Sequence, residues 1–96
     1  MSTKTEQTIT IQSQPSETEL QEMGVKSWPI WTKEVSEFPW TYGESETCYL
    51  LAGHVTVTTA RETVTFGADD LVTFPAGLSC TWKITEPVRK HYHFGD

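Results

Sequence analysis

Trp40-Thr41-Tyr42-Gly43-Glu44-Ser45-Glu46-Thr47-Cys48-Tyr49-Leu50-Leu51-Ala52-Gly53 and Gly67-Ala68-Asp69-Asp70-Leu71-Val72-Thr73-Phe74-Pro75-Ala76-Gly77-Leu78-Ser79-Cys80 decide how this chain is read. Each stretch joins strand-like runs through turns marked by glycine or proline, which supply the backbone conformations that turns require. In the first, Glu46 is followed by six residues and then Gly53. In the second, Gly67 leads to Pro75-x-Gly77 and, after two intervening residues, to Cys80. With the period of two that a strand imposes, Glu46, Cys48, Leu50 and Ala52 share one face. Trp40 and Tyr42, two apart, share a face as well.

Outward from this pair the chain continues in short strands. Thr8 to Gln12 alternates polar and apolar residues and reads as an edge strand. Ser16-Glu17-Thr18-Glu19 is a capping-box pattern, so a short helix carrying Leu20 and Met23 is expected, with Gly24 as its stop. A strand-rich region begins at Val25, interrupted at Pro29, which cannot donate to a ladder. Lys33 to Tyr42 alternates, with a bend at Pro39. Gly53-His54 reads as a turn into the β-branched run Val55 to Thr59, and Ala60-Arg61-Glu62 as a hairpin connection to Thr63-Val64-Thr65-Phe66. Gly67-Ala68-Asp69-Asp70 and Pro75-Ala76-Gly77 read as tight turns around Leu71 to Phe74. Leu78 to Thr85 places Cys80, Trp82 and Ile84 on one face. Glu86-Pro87 reads as a break. The last strand, Val88 to Phe94, sets Val88, Lys90, Tyr92 and Phe94 against Arg89, His91 and His93. Many short strands at regular spacing point to an antiparallel sandwich or barrel.

The two stretches resemble the paired consensus motifs of the cupin barrel. From Trp28 onward the pattern is similar to small single-domain cupins (RmlC-like) related to the cupin domains of (S)-ureidoglycine aminohydrolase and of ethanolamine-utilisation proteins. It is carried by Trp28-Pro29-Ile30-Trp31, Phe38-x-Trp40-x-Tyr42, Glu46-x-Cys48-Tyr49-x-Leu51-x-Gly53, Gly67-x-Asp69-Asp70 through Cys80-x-Trp82, and Lys90-His91-Tyr92. The resemblance implies an all-β fold, a cupin jelly-roll β-barrel, here with one short N-terminal helix. It also implies a metal site of three histidines and one glutamate. Aligned on the motifs, Glu46 takes the carboxylate position, while Trp40, Tyr42 and Cys80 stand where the histidines would be.

Ninety-six residues make one domain, expected as a disordered tail over residues 1–7 and a single cupin domain over 8–96. A net charge of −6 argues against a phosphate-backbone partner. No apolar run has the length of a membrane span. Two cysteines without a metal spacing read as free thiols of a reducing cytoplasm, or of a plastid if a transit peptide has been removed.

Glu46 is the leading candidate for function, because a carboxylate on an apolar face must be paired, hydrogen-bonded or bound to a metal. With Tyr42 it forms the expected catalytic pair, Glu46 transferring a proton and Tyr42 orienting or donating. Trp40, Tyr42, Glu46, Cys80 and Trp82 form the expected ligand-binding set, suited to a small organic molecule. No cofactor is expected. A divalent transition metal is the alternative, held by Glu46 and Cys80 with His91 or His93, which are spaced as ligands on one strand face. His91 and His93 otherwise point outward, and Lys33 is a surface charge. A hydrolase, lyase or isomerase using Glu46, or a structural protein with a filled barrel, are the other readings. A homodimer would add core to so small a chain.

Overall fold

The computed structural model describes residues 8–95. The expected disordered tail therefore lies outside the described residues. Seven strands dominate: β1 (Thr10–Ser13), β2 (Ile30–Lys33), β3 (Ser36–Thr41), β4 (Glu46–Thr58), β5 (Thr63–Gly67), β6 (Asp70–Phe74) and β7 (Ser79–Phe94). A helix, α1 (Glu17–Met23), and a 3-10 turn, Val25–Ser27, lie between β1 and β2. The capping box forms as the sequence dictates. Ser16 Oγ accepts from the Glu19 amide at 3.1 Å, and Glu19 Oε1 accepts from the Ser16 amide at 3.1 Å. Gly24 ends the helix at φ 73°, a left-handed conformation that costs glycine little. The strand expected from Val25 starts later, because the 3-10 turn occupies Val25–Ser27.

All pairing is antiparallel and runs through two long strands. β4 pairs with β7 along its whole length, β6 and β5 flank β4, β2 and β3 flank β7, and β1 adds to β6. The sheet curls until its distant strands meet. Tyr42, just beyond β3, stacks on Phe74 of β6 with ring centroids 4.8 Å apart, although β7 and β4 separate those strands in the ladder. Phe66, Phe74 and Trp82 pack edge-on or tilted at about 6 Å inside the curl. This is the all-β cupin architecture anticipated from the motifs.

The two breaks read at Gly53-His54 and Glu86-Pro87 are not breaks. Both lie inside continuous strands, opposite one another, where the β4–β7 register shifts three times between Leu50 and Val55. The shifts change which residues of β4 face inward. Glu46, Cys48 and Leu50 are buried before them, Val55 and Val57 after them, and Ala52 is exposed. Bulges of this kind bend a strand and let one face stay apolar around a curve. Gly53 is required there. Its φ is 114°, and a Cβ would come within 2.7 Å of the Pro87 carbonyl oxygen and 2.8 Å of Val88 Cα. Pro87 is tolerated for the matching reason, since it stands between the segments of β7 that pair with β2 and β3. In the turn after β5 the left-handed residue is Asp69, at φ 72°, rather than Gly67. Asp70 closes that turn by accepting the Gly67 amide at 2.8 Å.

Candidate functional site

The inward faces of β4 and β7 each carry one charge. Glu46 opens β4, and Lys90 sits on β7 opposite Leu50. Both are almost fully enclosed, at 4% and 5% exposure. Lys90 Nζ reaches Glu46 Oε2 at 2.9 Å. Burying either ion alone would be prohibitive, so each requires the other. The ammonium also lies over two indoles, 4.8 Å from the Trp31 ring and 4.6 Å from the Trp82 ring. Trp31 comes from β2, where it pairs directly with Lys90, and Trp82 comes from the first half of β7. The curl of the sheet thus brings two indoles, edge-on to one another with centroids 6.2 Å apart, to form an aromatic corner against one cation.

This pair forms the floor of a cavity of about 550 Å³. Its walls are Trp31, Phe38, Trp40, Tyr42, Trp82 and Tyr92, with Lys33 and Phe94 also contributing. Tyr42 is buried, and its hydroxyl accepts a hydrogen bond from Trp82 Nε1 at 3.1 Å. Burial, reinforced by the Glu46 carboxylate, pushes the Tyr42 phenol far above its usual range. Tyr42 is therefore a standing hydroxyl rather than a phenolate. Trp40 stands at the mouth, 48% exposed and edge-on to Tyr42 at 6.4 Å.

Of the residues expected at the site, the structure brings together Glu46, Tyr42, Trp82 and, at the rim, Trp40. Cys80, expected among them, packs instead in the apolar core and is not among the residues lining the cavity. Burial, with the nearby Glu46 carboxylate, raises its thiol pKa. Cys48 behaves likewise, pushed up to about 12 by burial, and both cysteines are free. His91 and His93 lie on the opposite face of β7. His91 is buried, not outward in solvent, because the segment before β2 covers it: its Nδ1 lies 2.9 Å from the Trp28 carbonyl oxygen. His93 is exposed and stacks on Trp28 at 5.3 Å. Lys90 and Trp31, although they belong to the motifs that carry the resemblance, are not among the residues expected at the site. The signal was a lysine on the otherwise apolar face of a strand.

The residues present do not fit the metal site that the fold implies. The Glu46 carboxylate is in contact with an ammonium, Tyr42 is committed to Trp82, Cys80 is turned into the core, and Trp40 has no donor atom to offer a cation but its ring. Among the described residues no group of three or more His, Cys, Asp or Glu side chains is placed to hold a metal ion. None of their helices is long and apolar enough to cross a membrane.

The family model of the EutQ-like cupin domain matches residues 20–92. A DUF861 family protein from Thermotoga maritima shares 51% identity over 91% of this chain and 99% of its own, with a TM-score of 0.87. A Salmonella typhimurium protein assigned to ethanolamine utilization (EutQ) shares 27% identity over 69% of this chain, with a TM-score of 0.63. The match spans 54% of that protein's length. The EutQ protein of Clostridium difficile is 18% identical with a TM-score of 0.64, a likeness of fold. No protein of curated function matches the chain.

Proposed function

We propose that this chain, which belongs to the EutQ-like cupin family, binds a small organic molecule between the aromatic walls and the Glu46–Lys90 pair. The observation that carries the reading is a buried ion pair set at the floor of an apolar cavity of about 550 Å³. A barrel that only needed filling would place an aliphatic side chain there, since apolar residues of like volume are commonly as stable as a buried pair or more so. Apolar walls with a few convergent polar groups are the usual make-up of a small-molecule site. The binding energy would come from the aromatic faces and the orientation from the floor.

The test is a thermal-shift screen of a chemically diverse library of small organic compounds, with hits titrated into wild type and Trp40→Ala. Trp40 is half exposed, so its loss leaves the fold intact. Hits that raise the melting temperature and lose affinity several-fold in Trp40→Ala support the site. A library that yields no hit, or hits indifferent to Trp40, overturns it.

One observation favours a second, catalytic reading of the same floor. Glu46 Oε1 accepts no hydrogen bond from the described residues, while Tyr42 is a hydroxyl held protonated. Glu46 would then take a proton from a bound molecule and Tyr42 would orient it. Hits incubated with the protein and followed by NMR test this: conversion absent in Tyr42→Phe supports catalysis, and quantitative recovery of every hit refutes it.

A further inference from the structure

The hydrogen-bonding groups around the cavity do not balance. Lys90 has three N–H donors, and its ammonium contacts a single oxygen, Glu46 Oε2, with two indole rings beside it. The Tyr42 hydroxyl accepts from Trp82 Nε1, and among the described residues its own O–H meets no acceptor. Lys33, at the mouth, lies over the Phe38 ring at 5.6 Å, with no carboxylate of the described residues within ion-pair distance. Against these donors stands one unused acceptor, Glu46 Oε1. The charges are unequal in the same sense, with two ammonium groups and one carboxylate on the cavity lining.

A buried donor without an acceptor is costly, and a ligand that supplies acceptors recovers that cost. A neutral apolar molecule would leave the floor as it is. A cation would face two ammonium groups with only one carboxylate, already engaged, to receive it. The chain's net charge of −6 does not decide the matter. Charges on the far surface are screened over about 8 Å at physiological salt, whereas those on the cavity lining are not.

We infer that the ligand is a small organic carboxylate with an aromatic or apolar body, its carboxylate seated against Lys90 and the Tyr42 hydroxyl and its body against the aromatic wall that Trp31, Trp40 and Trp82 form. Lys33 adds positive charge at the entrance. A hydroxyl beside the carboxylate would meet Glu46 Oε1. The assignment rests on the binding reading above and narrows it to one chemical class.

The test is calorimetric titration of the full chain with matched sets of one shape and three charges: phenylacetate, phenylacetamide and phenethylamine, and indole-3-acetate with its amide and amine counterparts. The acids are expected to bind at least tenfold more tightly than the amides, and the amines weakest. Lys33→Ala, a change at an exposed side chain that leaves the floor untouched, is expected to reduce the preference for acid over amide several-fold. Amides or amines that bind as tightly as the acids overturn the carboxylate class while the cavity still binds. Binding confined to other chemical classes of the thermal-shift library does the same. Absence of binding by every compound tested, library included, overturns the binding reading itself.

Discussion

Lys90→Met isolates the ion pair. Methionine keeps the length of the side chain and its packing against Trp31 and Trp82, and it removes the charge. At 2.9 Å the pair attracts by about 6 kcal/mol for an effective dielectric of about 20. That is a gross figure, opposed by the desolvation of both ions. The net loss is set by what happens to the carboxylate left behind. A carboxylate enclosed at this depth escapes its buried charge by taking up a proton. For a glutamic acid of ordinary pKa, about 4.3, protonation at pH 7 costs about 3.7 kcal/mol. The expected loss at pH 7 is therefore about 3–4 kcal/mol, roughly 15–25 °C in melting temperature for a domain of this size. The sign of the pH dependence follows from proton counts. The folded variant holds one proton that the unfolded chain has released, so raising the pH destabilises the variant by up to about 1.4 kcal/mol per unit. Its deficit against wild type should shrink to about 1–2 kcal/mol at pH 5. Urea unfolding of both proteins at pH 5, 6 and 7, followed by far-ultraviolet circular dichroism, measures this. Adding Glu46→Leu to the variant should recover most of the loss, because an apolar pair then fills the same space. A loss under about 1 kcal/mol at pH 7, or one that does not change between pH 5 and 7, would refute the reasoning.

Gly53→Ala should cost more than about 2 kcal/mol, because the added methyl meets the backbone of Pro87 and Val88 at a positive φ; a shift in denaturation midpoint worth under about 0.5 kcal/mol would contradict the bulge geometry. Trp82→Phe and Tyr42→Phe should each cost about 1 kcal/mol, and together less than the sum, since both remove one buried hydrogen bond; strict additivity in the double-mutant cycle would mean that the bond does not form. With the Cys48 thiol pushed up to about 12 and Cys80 buried and raised as well, neither should react with an aromatic disulfide reagent at pH 8 in the native state. Both should react once the chain is unfolded in denaturant. Rapid native labelling of either would place it at the surface.

The fold was legible because its signals are local. Glu46 to Gly53 and Gly67 to Cys80 carry turn chemistry at fixed spacing, and Ser16 with Glu19 caps a helix through bonds three residues apart. The two false breaks failed for a physical reason. Gly53 and Pro87 are each ordinary stop signals alone, and only their meeting across the β4–β7 ladder turns two stops into one shared bulge. The site was half legible. Glu46 stood out as a carboxylate on an apolar strand face, and the same argument applied to Lys90, grouped with Val88, Tyr92 and Phe94. What a one-dimensional pattern does not contain is the curl that brings Trp31 and Trp82 together against that lysine. Cys80 was expected in the cavity from its motif position alone. Its side chain went to the core, where a small apolar thiol is commonly found.

The central claim is that the cavity above Glu46 and Lys90 is a binding site, and the four tryptophans report on it directly. Trp31, Trp40 and Trp82 line the cavity, while Trp28 stacks on His93 away from it. The indole N–H signals of the nitrogen-15-labelled protein, recorded during titration with small organic compounds that include aromatic carboxylates, read occupancy and place in one spectrum. The account predicts saturable shifts of the Trp31, Trp40 and Trp82 signals with Trp28 unmoved. Compounds that move Trp28 instead, or a library that leaves all four signals in place, would contradict it.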